Sequence, residues 1–115
     1  MATIAEVRDR AANDLGILRL GQSLQSQDST RITTAYNEVY AQLKEDGIVT
    51  WTSTGAIPTH LVPHVASLVA DNCLNTYSVS NDRYKRIKAA VLLAMPEIRK
   101  FTTQFHASQD NPTDY

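Results

Sequence analysis

The chain has 115 residues, of which 43% are hydrophobic and 20% charged, the composition of one ordinary globular domain with too few residues for two independent cores. Eleven basic against twelve acidic residues leave a formal charge of −1, which excludes a basic field over the whole surface of the kind that captures nucleic acid. No segment approaches the roughly 20 apolar residues of a membrane span, and the N-terminus lacks the pattern of a signal peptide. We therefore expect a protein made in a cytoplasm, without membrane contact.

The first element in chain order is an amphipathic helix. Thr3 and Glu6 have the spacing of a capping box, in which a hydroxyl and a carboxylate each satisfy a backbone donor. Apolar residues then follow at intervals of three or four, namely Ile4, Val7, Ala11, Leu15 and Leu18. Gly16 weakens the last turn, and the polar run from Gly21 to Ser29 predicts a loop.

A second helix is expected at roughly residues 30–46, with Asp28 or Ser29 as its cap. One face carries its apolar and aromatic residues, which are Ile32, Ala35, Tyr36, Val39, Tyr40 and Leu43. Gly47 is a helix stop, because it can adopt the left-handed conformation after the last turn. The following stretch, IVTWTSTGAIP, predicts a short hairpin or an extended arm around Ser53, Thr54 and Gly55.

Two further helices complete the predicted fold. A third begins after Pro58 with Pro63 in its first turn, and its apolar stripe is Leu61, Val65, Leu68, Val69, Asn72 and Cys73. A fourth runs from about Asp82 to Met95, capped by Ser80 or Asn81, until Pro96 ends or kinks it. The stretch PEIRKFTTQF continues as a short fifth helix or as a bent extension.

The predicted fold class is therefore all-α, a bundle of four main helices with a short β-like arm or hairpin between the second and third. Residues 1–105 form a single domain, and the polar residues 106–115 form a flexible tail.

Signs of catalysis or of a bound cofactor are weak. The only cysteine, Cys73, lies in an apolar run and is most simply a small buried side chain. His60 and His64 have the i, i+4 spacing of metal ligands, but Asp71 is the only nearby helical third ligand, and solvation or packing at a helix start is the simpler interpretation. No nucleophile elbow or phosphate-binding loop is present. We expect no enzymatic activity, no metal and no cofactor.

The segment from Asp82 to Lys100 is locally basic. It contains six basic and two acidic residues, so its net charge is +4. The net charge of the rest of the chain is then about −5. This charge asymmetry indicates a surface that binds phosphate or an acidic patch of another protein. The residues expected to contact DNA or such an acidic patch are Arg83, Lys85, Arg86 and Lys88. The alternative is a solvated helix start, since these residues spread widely around the helix axis.

Within this segment, AAVLLAM (residues 89–95) is apolar nearly all round, which predicts burial on more than one side. Either the core of the monomer or another subunit would complete that burial.

The order of these features resembles a known family. Five segments follow one another: an opening helix ending DLGIL, a polar loop, a helix ending LKEDGIVTW, an arm with AIPTHLVPHVASLVA, and then NDRYKRIKAAVLLAMPEIRKF. In this order, over residues 4–101, the chain resembles the head-completion or head-to-tail connector (adaptor) proteins of tailed bacteriophages. The resemblance implies a non-enzymatic α-helical virion protein that binds the portal protein after DNA packaging.

The resemblance also implies partners and contact surfaces. Copies would form an oligomeric ring of about twelve beneath the portal, retain packaged DNA in the channel, and dock tail or further connector proteins. The contact regions would be the arm and the C-terminal segment, which gives as interface residues Ile48, Val49, Trp51, Ile57, Arg99, Lys100, Phe101 and Phe105. Trp51 on a projecting arm would anchor the interface, unless it folds back onto the core.

Two rival functions remain on the sequence alone. One is a small helical DNA-binding phage protein that uses the basic fourth helix. The other is an accessory enzyme with a carboxylate site built from Glu38, Glu45 or Asp46, although charges on the outer face and end of a helix are usually only solvated.

Overall fold

The computed structural model describes residues 2–18, 23–52 and 56–110, with the backbone alone from 105 to 110. Its main helices are α1 (Ile4–Leu15), α2 (Ser26–Glu45), α3 (Val62–Asn72) and α4 (Asn81–Asp110), and a short 3₁₀ turn (Thr59–Leu61) leads into α3. No strand occurs within these ranges, so the all-α class and the four main helices are confirmed. The predicted loop and hairpin tip fall partly on residues 19–22 and 53–55, which lie outside the described residues.

Two helices end in the same way, at a glycine with a positive φ angle. Gly16 follows α1 with φ 82°, and Gly47 lies just after α2 with φ 74°. After α2, the N–H of Gly47 donates to the carbonyl of Lys44 and the N–H of Ile48 donates to that of Leu43, both at 3.0 Å. This hydrogen-bond pair satisfies carbonyls that a helix end leaves without partners. The role of Gly47 as a helix stop is confirmed, and Gly16 ends α1 instead of merely weakening it.

Hydroxyl groups cap two of the helix starts. The Thr3 hydroxyl accepts a hydrogen bond from the Glu6 N–H at 3.2 Å, as the capping box predicts. The Ser80 hydroxyl accepts from the Arg83 N–H at 3.3 Å, which decides between the two caps proposed for the fourth helix. These two caps could be predicted from the sequence because each hydroxyl accepts from a backbone N–H only three residues further along the chain.

The start of α2 lies about four residues before the predicted one. Asp28 and Ser29 are not caps but lie inside the first turns, where they contact other elements. The Tyr77 hydroxyl donates to Asp28 Oδ1 at 2.8 Å, and Arg8 Nη1 donates to the Ser29 hydroxyl at 3.0 Å. Long-range partners therefore replace the local capping role that their residue types favour.

Helix α3 lies at the centre of the fold and contacts the other three main helices. Its buried side chains are small or β-branched, namely Val65, Ala66, Ser67, Val69 and Ala70. Small side chains let neighbouring backbones approach closely, and tight interior packing then fixes their positions. The predicted stripe on this helix is largely confirmed, although Asn72 is exposed.

The segment after α2 folds back onto the core. Trp51 is 6% exposed, its indole Nε1 donates to the Tyr36 hydroxyl at 3.1 Å, and its carbonyl accepts from the Tyr40 hydroxyl at 2.9 Å. Ile48 and Ile57 are buried as well. Of the two positions that the sequence left open for Trp51, the structure shows the one folded back onto the core and not the exposed one on a projecting arm. Two tyrosines of α2 make this possible, because Tyr36 gives the indole N–H a partner and Tyr40 gives the Trp51 carbonyl one.

A β-like hairpin is not shown either. Ile57 instead pairs with Ala2 in an isolated antiparallel bridge, with N–O distances of 2.8 and 3.0 Å. The bridge ties the N-terminus of the chain to the segment that enters α3.

Helix α4 is longer than predicted. It passes through Pro96 as one helix of 30 residues, about 45 Å at 1.5 Å per residue, in a molecule that measures 54 × 26 × 25 Å. Of the two continuations that the sequence left open, the separate fifth helix is excluded, and residues 96–105 extend the fourth helix. Pro96 lies on an exposed side, where water can satisfy the carbonyl that loses its partner. The tail predicted from residue 106 begins inside α4, and residues 111–115 lie outside the described residues.

The second half of α4 is attached to the segment after α2. The Thr102 hydroxyl is buried and donates to the Ile48 carbonyl at 2.6 Å. The Phe101 ring lies edge-on to the His60 ring, with 4.7 Å between centroids. These contacts hold α4 beyond Pro96 against the bundle.

Trp51→Ala tests the buried position of the indole. We expect it to lower the free energy of unfolding by about 3–5 kcal/mol, because it leaves a cavity and removes the partner of the Tyr36 hydroxyl. Urea unfolding followed by circular dichroism measures the change. Lys44→Ala, at an exposed position nearby, is the control and should change stability by less than about 0.5 kcal/mol. Equal, small losses for the two variants would place Trp51 outside the core.

Candidate interaction surface

The solvent-facing side of α4 carries an apolar strip. Leu92 is 77% exposed and Leu93 68% exposed, and Ala89 and Pro96 beside them are also exposed. Their spacing of three and four residues places them together on one side of the helix. Apolar side chains exposed together, with polar residues around them, are typical of an interaction site.

The opposite side of α4 supplies the core. Ile87, Ala94 and Ile98 are buried against the bundle. The expected burial of AAVLLAM on more than one side does not occur within the monomer, because the core receives a single stripe of α4. Of the two possibilities that the sequence left open, packing inside the monomer is therefore wrong for Leu92 and Leu93.

Basic residues lie at both ends of the apolar strip. Lys85 and Arg86 precede it, and Arg99 and Lys100 follow it, and all four are exposed. Glu97 is the one acidic residue exposed within the same stretch. We call the strip and these four basic residues the α4 outer face.

Two of the residues predicted to contact DNA instead make contacts with other helices of the protein. Arg83 Nη1 donates to the carbonyls of Asn13 and Asp14 at 3.3 and 3.4 Å, so a cation lies at the C-terminus of α1, where the helix dipole favours it. Lys88 Nζ lies 2.7 Å from Asp71 Oδ1 of α3, and this contact raises the pKa of Lys88. Both residues fasten α4 to the bundle.

A basic groove of about 700 Å³ opens where α4 starts, between α1 and α3. Its cationic or ionisable lining consists of Arg10, His64, Arg83 and Arg86. Asp14 also lines the groove, and its Oδ1 lies 3.8 Å from Arg10 Nε. Burial raises the pKa of Asp14, and the charges of Arg10 and Arg83 oppose this shift only in part. Of the four predicted DNA-contacting residues, Lys85 and Arg86 make no hydrogen bond or ion pair with the described residues, so these two are left to meet a partner.

An acidic groove of about 360 Å³ lies on another side of the bundle, between α2 and α3. Its apolar floor includes Val39, Leu68 and Met95, which are half-buried, and its rim carries the exposed carboxylates of Glu38 and Asp46. We call it the α2–α3 groove. Glu38 Oε1 also accepts from Asn72 Nδ2 at 3.0 Å, which fixes that carboxylate at the rim.

The interface residues expected from the sequence are spread over different environments. Ile48, Trp51 and Ile57 are buried in the core, while Val49 and Phe101 are half-buried. Arg99 and Lys100 are exposed on the α4 outer face. The Phe105 side chain lies outside the described residues. Leu92 and Leu93 were not among the expected interface residues, although the sequence left open that another subunit covers the apolar run at residues 89–95 in which they lie.

Candidate metal ligands and the cysteine are not brought together. His60 packs on Phe101, whereas His64 lines the basic groove. In the part of the chain that the structure describes, no group of three or more histidine, cysteine or acidic side chains could hold a metal ion. Burial raises the pKa of the Cys73 thiol to about 11, and the charge of Glu38 adds to this shift, which disfavours the nucleophilic thiolate.

Comparison with known proteins gives no match to a family model, to a curated protein or to a solved structure. Among the described helices, none combines the length and the apolar content that crossing a bilayer requires.

Replacement of the two helix-ending glycines tests the contact between α1 and α4. A Cβ at Gly16 would lie 2.8 Å from Arg83 Nε, whereas a Cβ at Gly47 would meet nothing within 4 Å. Gly47→Ala should cost about 1–2 kcal/mol from backbone strain alone. Gly16→Ala should cost about 1 kcal/mol more, because it displaces the guanidinium from the two carbonyls it binds. Thermal and urea unfolding measure both.

Arg83→Ala supplies the matched background for this comparison. With the guanidinium removed, Gly16→Ala and Gly47→Ala should destabilise by the same amount, since only the positive φ angle remains. A difference between the glycines that persists without Arg83 would show that another neighbour opposes the Cβ at position 16.

Proposed function

We propose that this protein is a structural, non-enzymatic subunit of the head–tail connector of a tailed bacteriophage. In this role it binds the portal protein, assembles as an oligomeric ring of about twelve copies, and joins the DNA-filled head to the tail or to further connector proteins. Its place is the virion, at the head–tail interface, after synthesis in the host cytoplasm. The sequence resemblance over residues 4–101 suggests this family, and the α-helical fold agrees with it.

The observation that carries the proposal is the exposure of Leu92 and Leu93 in the middle of the longest helix. A chain of this size has one core, and exposing two leucines side by side costs hydrophobic free energy, about 25 cal/mol for each Å² left in water. Assembly recovers that free energy, because the strip becomes covered by a partner. Adjacent leucines left exposed in this way are typical of proteins that associate with a partner, which supports an assembly role.

The burial of Trp51 changes which surfaces serve the proposed connector. Ile48, Trp51 and Ile57 are committed to the core, so among the described residues of this segment the ones available for contacts are half-buried or exposed, such as Val49. The α4 outer face, with Arg99 and Lys100 at its C-terminal end, replaces Trp51 as the main contact surface. Portal and tail contacts are then expected along α4.

The native mass of the purified protein tests this proposal. Over a wide concentration range, mass photometry and analytical ultracentrifugation should show a concentration-dependent oligomer, and electron microscopy of the concentrated sample should show closed rings of about twelve copies. Leu92→Ser with Leu93→Ser should remain monomeric with unchanged helical content, because the substituted side chains are outside the core. Ala41→Ser, an exposed substitution on α2, is the control and should assemble normally.

A protein that stays monomeric on its own is tested further on the portal protein of the same genome. Co-sedimentation with portal rings, lost in the double serine variant, would still support a connector. A monomer that also fails to bind the portal would contradict the proposal.

A small DNA-binding phage protein is the second candidate, favoured by the basic groove and by the exposed Lys85 and Arg86. If phosphate contacts are made there, affinity for duplex DNA should fall steeply with salt, and Lys85→Ala with Arg86→Ala should lessen the log–log slope by about 2. Lys44→Ala, on α2, should leave the slope unchanged. Fluorescence anisotropy at several salt concentrations gives these slopes, and a weak, salt-insensitive signal would exclude this candidate.

A further inference from the structure

The positive charges at both ends of the α4 outer face restrict what can cover it. If two copies packed α4 against α4, in either direction, the lysines and arginines of one helix would lie opposite those of the other, because both ends are basic. Like charges facing each other across an interface disfavour that pairing. The face therefore requires a partner with an apolar surface and acidic groups around it.

The same chain presents a surface of this kind in the α2–α3 groove. Val39, Leu68 and Met95 supply apolar contacts for leucine side chains, and the exposed Glu38 and Asp46 carboxylates stand at the rim. The groove has a volume of about 360 Å³. The two surfaces also carry opposite charges, with four exposed basic residues on the α4 outer face and two exposed carboxylates at the groove rim.

We infer that the α4 outer face of one copy docks into the α2–α3 groove of the next copy. Leu92 and Leu93 contact the apolar floor, while Lys85 or Arg86 at one end and Arg99 or Lys100 at the other lie near the acidic rim. This inference rests on the proposed oligomeric function and identifies the surfaces that make the subunit contact.

Such a contact is heterologous, because the two participating surfaces are different. Each copy keeps one unused face and one unused groove after the first contact, so a third copy can add to a dimer. The series closes into a ring or continues as a filament according to the rotation between neighbours. A symmetric dimer, by contrast, would use up both surfaces at once.

Two complementary variants test the inference by mixing. The face variant carries Leu92→Ser and Leu93→Ser and keeps its groove, whereas the groove variant carries Glu38→Lys and Asp46→Lys and keeps its face. All four positions are exposed, so both variants should retain the circular dichroism spectrum and cooperative unfolding of the unmodified protein. Each variant alone should associate at least about tenfold more weakly than the unmodified protein.

The mixture should behave differently from either variant alone. One intact face and one intact groove remain between them, so an equimolar mixture should form a 1:1 dimer that grows no further, detected by native mass spectrometry. Glu6→Lys with Glu45→Lys makes the same change in net charge away from the groove lining, and mixed with the face variant it should still assemble through its own two intact surfaces.

The other outcomes overturn the inference. If the unmodified protein assembles but the mixture gives no dimer, another surface carries the subunit contact, and the proposed connector function stands. If the unmodified protein and the mixture are both monomeric at the highest attainable concentration, the face and the groove do not bind each other. If the face variant assembles normally but loses duplex DNA binding, the α4 outer face is a DNA-binding surface and not the subunit contact.

Discussion

The burial of α3 from three sides is the constraint on which the rest of the structure depends. Its alanines and valines let α1, α2 and α4 approach a common axis, and one short helix thereby forms the centre of the core. Because α4 packs on this centre with one stripe only, no helix among the described residues covers its opposite side. The exposure of Leu92 and Leu93 thus follows from the way in which the core is built.

Charged side chains then determine how α4 is held and what it can meet. Arg83 at the C-terminus of α1 and Lys88 at Asp71 attach the first half of α4 to two neighbouring helices. The cations that are not used in this way remain at the ends of the outer face, so the basic segment performs two tasks. A helical wheel spreads these residues around the axis and therefore cannot separate the two groups.

Local signals were predictable from the sequence, whereas long-range pairings were not. Thr3, Ser80 and Gly47 act on backbone groups within a few residues, and their roles could be read directly. The start of α2 depended on partners that are 21 and 49 residues away, and the buried position of Trp51 depended on two tyrosine hydroxyls of another element. Of the end or kink expected at Pro96, the end does not occur, because a proline on an exposed side can be accommodated within a helix. The same distinction holds for the candidate site. Its basic residues could be identified from the sequence, but the exposed apolar strip could be identified only once the structure showed which side of α4 packs on the core.

Helix α4 contributes residues to both proposed contact surfaces, and this has a consequence for assembly. Leu92 on the outer face and Met95 in the lining of the α2–α3 groove lie three residues apart on the same helix. The angle between the two surfaces is therefore set by the rotation of α4 about its axis, which Arg83, Lys88 and Thr102 fix against three other parts of the bundle. In a heterologous assembly this angle determines whether the series of copies closes and how many copies it contains. The contacts that stabilise the monomer would thus also define the size of the ring.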